Sequence, residues 1–411
     1  MGANASGKSN ALEGIRLLSW LAQGQNLHQM SQEVNQSQQI VRGFMGDLPR
    51  RGSQQFGLGC ELAKHAFPLL TLQIEYQLPD ELHVRSESIK DKAGNWLLQT
   101  VGPISNRTER PIPLERLMSV ANPSDPQANI QLEFSDQVVA FSRISTLLPS
   151  FPISEQAKES IKASTQVFAT KLSSILFLDP NPSLMRGYGR KGENRLAGDG
   201  RNLSAVLYDL WVESEEAESN QKNILQLVAS LPEQDIRSID FLHTPRGEVL
   251  VRLEETFGGE TILYDAGLLS DGTLRVLAIA SALLSSPKGS MVVIEEIGSG
   301  VHPSRVRGLL NQVYEIAEAR DLQILISTHN AVLLDALPKQ ALGEVVCCYR
   351  NPQHGYSELI QLQDLPSYPE LLAQGELGSL VSRGLVEKFI KQPEDGKEKK
   401  RKALAWLDSL R

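Results

Sequence analysis

The chain has 411 residues, 41 % of them hydrophobic, enough to bury a large core in two or three lobes. Acidic residues outnumber basic ones, 49 to 41, and the net charge of −8 leaves no global positive field to draw the protein to nucleic acid or anionic lipid. Three cysteines, two of them adjacent, make no disulfide framework, so a reducing cytoplasm is expected, and no apolar run reaches the roughly 18 residues needed to span a membrane.

The chain opens on a phosphate-binding loop, Gly-Ala-Asn-Ala-Ser-Gly-Lys-Ser over residues 2–9. Glycines at both ends let the backbone curl until its N–H groups face phosphate oxygens, while Lys8 adds a point charge and Ser9 a hydroxyl for Mg²⁺. Such a loop ordinarily follows a buried parallel strand, and only Met1 precedes it here. The favoured expectation is that Met1 is an internal methionine of a longer protein; the other is that a different segment fills the slot in the sheet. Ala11, Ile15, Leu18 and Ala22 then recur at helical spacing up to Gly24, and residues 25–50 read as loop or frayed helix. Leu70, Leu72, Ile74, Tyr76 and Leu78 alternate with polar residues, the period of a half-buried antiparallel strand. With Leu82, Val84 and a turn at Gly94, this predicts an antiparallel β lobe over 54–105. Scattered prolines and helical spacing over 112–172 predict an irregular helical insert.

Residues 175–178 read as a short buried strand, followed by a Pro/Gly-rich loop over 179–200 that is long enough to suspect function. Helices are expected over 202–230, then a hairpin turning at Pro245-Arg246-Gly247, then regular α/β structure to about 349. Leu269-Ser270-Asp271-Gly272-Thr273 opens a helix, so Ser270 and the adjacent amides form a second anion-binding N-terminus. The apolar run 291–294 has the character of a fully buried parallel strand and ends in Glu295 and Glu296. Two carboxylates there are costly unless a cation or a reacting water meets them, and that end of an α/β sheet is where ligands bind. The neighbouring strand, 322–327, delivers His329 to the same edge. The expected organisation is a phosphate loop and antiparallel β lobe over 1–110, a helical insert over 111–235, an α/β core over 236–349 and a helical tail over 350–411. No repeat or heptad seam is visible, which argues against a long coiled-coil arm. The charge run 397–402 reads as a solvated terminal helix, with a nucleic-acid contact as the sharper alternative.

Four motifs in this order resemble ATPases of the ABC type, in the RecF, SMC and OLD-like branch often catalogued as AAA-type core ATPases. GANASGKSN is similar to that branch's phosphate loop, LSDGTLR to its signature, IEEIGSGVHP to its acidic strand and dimer loop, and STHN to its histidine switch. The resemblance covers both ends of the chain and its middle by topology. It implies an α/β P-loop NTPase fold with an ABC-like sheet, an antiparallel β lobe and a helical insert, taking ATP and Mg²⁺. Gly2, Asn4, Ser6, Gly7 and Asn10 would shape the loop, Lys8 would hold the β and γ phosphates, and Ser9 would coordinate Mg²⁺. Glu295 would contact that ion directly or through water, Glu296 would polarise the attacking water, and His329 would touch the γ-phosphate. Two protomers of the family sandwich two nucleotides head to tail, so Ser270 and Gly272 would reach the γ-phosphate held by the other copy. General-base assistance typically adds about 10²–10⁴-fold, so loss of Glu296 should spare binding and slow turnover.

The sequence also departs from that pattern. Glu295 stands where an aspartate is usual, which predicts a shifted or water-bridged contact, since Mg²⁺ demands near-octahedral geometry. Asp179-Pro180-Asn181-Pro182 stands where a γ-phosphate-sensing glutamine is expected. His302 reads as a helix cap or loop stabiliser. Arg186, Arg190, Lys191, Arg195 and Arg201 read by default as a solvated loop, with a phosphate-backbone or effector contact as the alternative. The function expected is Mg-dependent ATP hydrolysis by a homodimer that gates a partner protein, DNA or RNA. A nuclease-type effector would be a separate subunit, and DNA repair or phage defence is a family-level role. The alternative is a nucleotide-gated scaffold with little hydrolysis. A transport ATPase is disfavoured by the long span between phosphate loop and signature. A fused nuclease is disfavoured by the short span after Pro338, which lacks a clustered acidic set.

Overall fold

A computed structural model describes the chain except for residues 3–5, 34–39, 78–79, 104–114, 122–128, 230–234, 258, 366–367 and 392–411. Asn4, Leu78 and the charged tail therefore lie outside the described residues. The chain forms two compact units: one is Ser9–Ile175, and the other joins Met1–Lys8 to Leu176–Arg411.

In the Ser9–Ile175 unit, α1 (Lys8–Ala22) buries a stripe centred on Leu12, Leu17, Leu18 and Leu21, with Ala11 and Ile15 half-buried beside it. Six strands then form one antiparallel sheet in sequence order: β1 (Gln55–Glu61), β2 (Leu69–Gln77), β3 (Glu81–Lys90), β4 (Trp96–Pro103), β5 (Glu115–Val120) and β6 (Ile130–Ser135). The alternation read in β2 is realised, with Leu70, Leu72 and Ile74 buried and Thr71 and Gln73 exposed. β5 and β6 correct the expectation of a helical insert over 112–172, where the long helix, α2 (Glu155–Ser173), starts only after them. Met118, Val120, Ile130, Leu132 and Phe134 have a period of two, and Met118 sits opposite Leu132, so one apolar face joins the core. The prolines that obscured this pattern, Pro111, Pro113, Pro123 and Pro126, stand outside both strands. A buried ion pair braces the sheet: Arg116 Nη2 donates to Glu87 Oε2 at 2.8 Å, and the Glu87 carboxylate accepts the Ala140 and Phe141 amides, each at 2.7 Å.

The other unit resumes with β7 (Leu176–Leu178), β8 (Gly189–Arg190), α3 (Leu203–Tyr208) and α4 (Ala217–Val228). β9 (Ile236–His243), β10 (Glu248–Phe257) and β11 (Glu260–Asp265) follow and make an antiparallel sheet with β8. Then come α5 (Asp271–Ser285), β12 (Met291–Glu295), α6 (Pro303–Ala319), β13 (Gln323–Ser327) and α7 (Ala331–Asp335). β12 is the centre of a parallel sheet, flanked by β13 and β7, and its Val292, Val293 and Ile294 are fully buried. That position explains its uninterrupted apolar run. α5 is buried over most of its surface against α3, α4 and α6, which accounts for its near-continuous apolar sequence.

β14 (Val346–Arg350) and β15 (Ser357–Gln361) form a hairpin that places Cys347 opposite Ile360. β15 corrects the expected helical tail at its start, where half-buried Glu358 and Ile360 alternate with exposed residues and complete the ladder with β14; beyond it the described residues are helical over Tyr368–Leu372, Leu377–Ser382 and Leu385–Lys391. Met1 also pairs with β14. Its nitrogen donates to Val346 O at 2.6 Å, and Cys348 N donates to Met1 O at 2.8 Å, the pattern of a parallel bridge.

Candidate nucleotide site

The carboxyl end of β12 sets the acids. Glu295 is the last strand residue, in register with Ser327 of β13. Glu296 then turns into a left-handed conformation, φ 50°, while its N–H still donates to Ser327 O at 3.0 Å. The following turn is closed by Ser299 N donating to Glu296 O at 2.8 Å. The histidine arrives by the same logic on β13. Thr328 is buried and its hydroxyl accepts from Asn330 N, and the Asn330 side chain caps α7, so His329 is held between two anchored neighbours. His329 Nδ1 and Glu296 Oε1 are 2.8 Å apart, both at the open sheet edge. A carboxylate only accepts, so Nδ1 carries the proton and Nε2 is the ring atom left for a ligand.

The phosphate loop is seated by the β14–β15 hairpin of the same unit. A Cβ on Gly2 would come within 2.3 Å of Cys348 O, and one on Gly7 within 2.3 Å of Ser357 Oγ. Both glycines have positive φ, so side chains are excluded twice over. Cys348 Sγ donates to Ser6 O at 3.1 Å. Lys8 Nζ donates to Gly2 O at 2.6 Å, folding the ammonium over its own loop. Ser6 is buried, and its hydroxyl has no hydrogen-bond partner among the described residues. An orphaned hydroxyl, a cation and a glycine-only curl suit a triphosphate. Gly2 and His329 line one cavity of about 170 Å³ together with Thr328, Cys347 and Cys348. That volume is below the usual range for a ligand pocket, so it marks a wall common to loop and histidine and not the whole nucleotide envelope. Ser9 and Asn10 belong to the Ser9–Ile175 unit, where Asn10 Oδ1 accepts from Arg42 Nη2 at 3.2 Å.

At the second anion-binding turn, Ser270 caps α5 by accepting from Thr273 N at 3.1 Å. Gly272 is buried, and a Cβ there would meet Gly300 O at 2.4 Å, so the signature glycine makes room for the loop that follows β12. His302 Nδ1 accepts from Ser304 N at 3.3 Å, the helix-cap role read from its position. Among the described residues no group of three or more His, Cys, Asp or Glu side chains is arranged to hold a metal. A divalent ion at the β12 edge would thus rely on one or two protein ligands and on phosphate oxygens, as Mg²⁺ commonly does.

Residues 149–335 match the family model described as "AAA domain, putative AbiEii toxin, Type IV TA system", a span that takes in the signature turn, both acids and His329. That span also holds the three strands of the parallel sheet, β7, β12 and β13. Among solved structures, the chain aligns with an SmcHead bound to the C-winged helix domain of ScpA, at 12 % identity over 87 % of each chain and a TM-score of 0.40. It also aligns with the SMC head domain from Thermotoga maritima, at 12 % identity over 88 % of each chain and a TM-score of 0.30. A Pyrococcus furiosus Smc head domain with an extended coiled coil aligns at 10 % identity over 91 % of each chain, with a TM-score of 0.36. No curated protein matches the chain. No helix among the described residues is long and apolar enough to cross a membrane.

Two groups at this candidate site escaped the sequence reading. Cys348 holds Ser6 across 342 positions of sequence, a contact that leaves no local pattern. Arg186 was visible only as one of five basic residues in a loop. In the structure that cluster is dispersed: Lys191 Nζ lies 3.1 Å from Tyr208 Oη and 4.3 Å from the ring centre, Arg201 is 3.7 Å from Asp199, and Arg186 reaches the signature turn.

Proposed function

We propose that the chain binds ATP with Mg²⁺ and hydrolyses it in a head-to-tail homodimer, using the cycle to gate a partner protein. The observation that carries this reading is the 2.8 Å contact between Glu296 and His329, on a parallel-sheet edge where His329 shares a cavity with Gly2 of the phosphate loop. On nucleotide binding, Lys8 exchanges Gly2 O for the β and γ phosphates, and the Ser6 hydroxyl gains the partner it lacks. Ser9, next to Lys8 in the chain, and Glu295 are the proposed metal ligands. Mg²⁺, when bound, neutralises charge on the phosphate oxygens. Glu296 accepts the proton of the attacking water, with the Nδ1–H of His329 orienting its carboxylate. His329 Nε2 faces the γ-phosphate and donates to it when the ring is doubly protonated. Ser270, Gly272 and the N-terminus of α5 serve the nucleotide of the other copy. The engagement of Arg186 and Lys191 by groups of this chain, with the net charge of −8, supports a protein partner over nucleic acid.

One feature favours a second reading, the nucleotide-gated scaffold: Glu295 stands where an aspartate is usual in the family the motifs resemble, which predicts a shifted metal contact and slow turnover. Phosphate release by the full chain and by Glu296→Gln separates the two. Hydrolysis predicts that the variant keeps ATP affinity and loses about 10²–10⁴-fold in turnover. Equal, background-level release from both proteins would favour the scaffold.

A further inference from the structure

Arg186 makes four hydrogen bonds with one guanidinium. Nη1 shares its two hydrogens among the carbonyls of Ala266, Gly267 and Leu269, at 3.3, 3.0 and 2.7 Å, and Nη2 donates to Asp271 Oδ1 at 2.6 Å. Those acceptors are the turn that leads into Ser270 and the first residue of α5. Arg186 itself closes the one-turn helix Pro182–Met185, in the loop at the carboxyl end of β7, the strand adjacent to β12. The loop after a core strand is thereby tied to the signature by a single side chain.

The electrostatics give the contact a purpose. The N-terminus of a 15-residue helix attracts an anion through its unpaired N–H groups and its dipole. Asp271 places a carboxylate at that N-terminus, where it satisfies the same field and repels an incoming phosphate. Its side chain is 68 % exposed, on the solvent side of the turn. Arg186 offsets that charge through Nη2, and its Nη1 simultaneously holds the carbonyls of Ala266, Gly267 and Leu269 in the turn before α5.

We propose that Arg186 is the positioning residue of the signature turn, neutralising Asp271 and locking residues 266–269 so that the α5 N-terminus accepts a triphosphate from a second copy of the chain. This rests on the head-to-tail reading above. Arg186 touches no reacting atom in this assignment; it acts through Ser270 and the amides behind it.

The test uses the full chain carrying Glu296→Gln to slow turnover, with ATP and Mg²⁺, and reads the dimerisation constant by sedimentation. Single-copy affinity is read with a fluorescent ATP analogue at low protein concentration. Arg186→Ala is expected to weaken ATP-dependent dimerisation by about tenfold or more, as loss of a charge-assisted hydrogen-bond set should, with single-copy affinity and melting temperature retained. Adding Asp271→Asn to Arg186→Ala is expected to recover a large part of that loss, which a merely structural arginine would not allow. Should the alanine variant fold poorly, Arg186→Lys keeps the charge without the fork and is expected to fall between parent and alanine. Dimerisation by Arg186→Ala or Arg186→Lys equal to the parent's, or a double variant no better than Arg186→Ala, overturns the assignment. A parent that does not dimerise with ATP at all overturns the head-to-tail reading and the assignment with it.

Discussion

The proposed general base, Glu296, sits on an unusual backbone angle. With φ at 50° it is one of three non-glycine residues among those described that adopt a left-handed conformation, which costs an L-residue roughly 1–2 kcal/mol. The turn is over-determined by the Glu296 N–H on Ser327 and by the Ser299 N–H on Glu296 O, so the strain persists. In ordinary strand or helix positions alanine is more stabilising than glycine. At residue 296 the order should invert, with Glu296→Gly more stable than Glu296→Ala by about 1 kcal/mol in urea unfolding, and both without turnover. Alanine equal to or better than glycine would show that the angle is relaxed. In the proposed mechanism the acid is thus held at a cost that a glycine would remove together with the base, a familiar trade between stability and activity.

Among the elements, the antiparallel sheet offers the sharpest test. Arg116 and Glu87 are 3 % and 0 % exposed, and each has further backbone partners, so the pair is satisfied only as a pair. Arg116→Leu should destabilise the chain by about 3–5 kcal/mol, whereas Arg116→Leu with Glu87→Leu should lose markedly less, because no lone buried charge remains. Similar losses from both variants would contradict that account. The strands of the parallel core were legible because burial on both faces leaves an uninterrupted apolar run, as in residues 291–294, and because cap residues such as Ser270 act locally. β5 and β6 were not, since prolines between two short strands mimic irregular structure when the pairing partner is unknown. The roles of Arg186 and Cys348 were illegible for a different reason: each is defined by a contact across scores or hundreds of residues, and the backbone carbonyls they bind exist at every position of any sequence.

For the molecule as a whole, the Ser9–Ile175 unit owns a complete apolar core that includes Leu17, Leu72, Ile89, Phe141 and Phe168. Expressed alone, residues 9–175 should unfold in one cooperative urea transition, and a broad, non-cooperative loss of signal would show that the unit depends on the rest of the chain. The other unit is built differently, because its first eight residues find their partners at its far end, where Met1 pairs with Val346 and Cys348, and Gly7 rests on Ser357. During translation those eight residues are made before the hairpin and wait for it, roughly 20–70 s at elongation rates of about 5–20 residues per second. A nascent chain therefore carries every residue of that segment long before the hairpin on which Gly2 and Gly7 rest exists, so any nucleotide binding through it must await the hairpin.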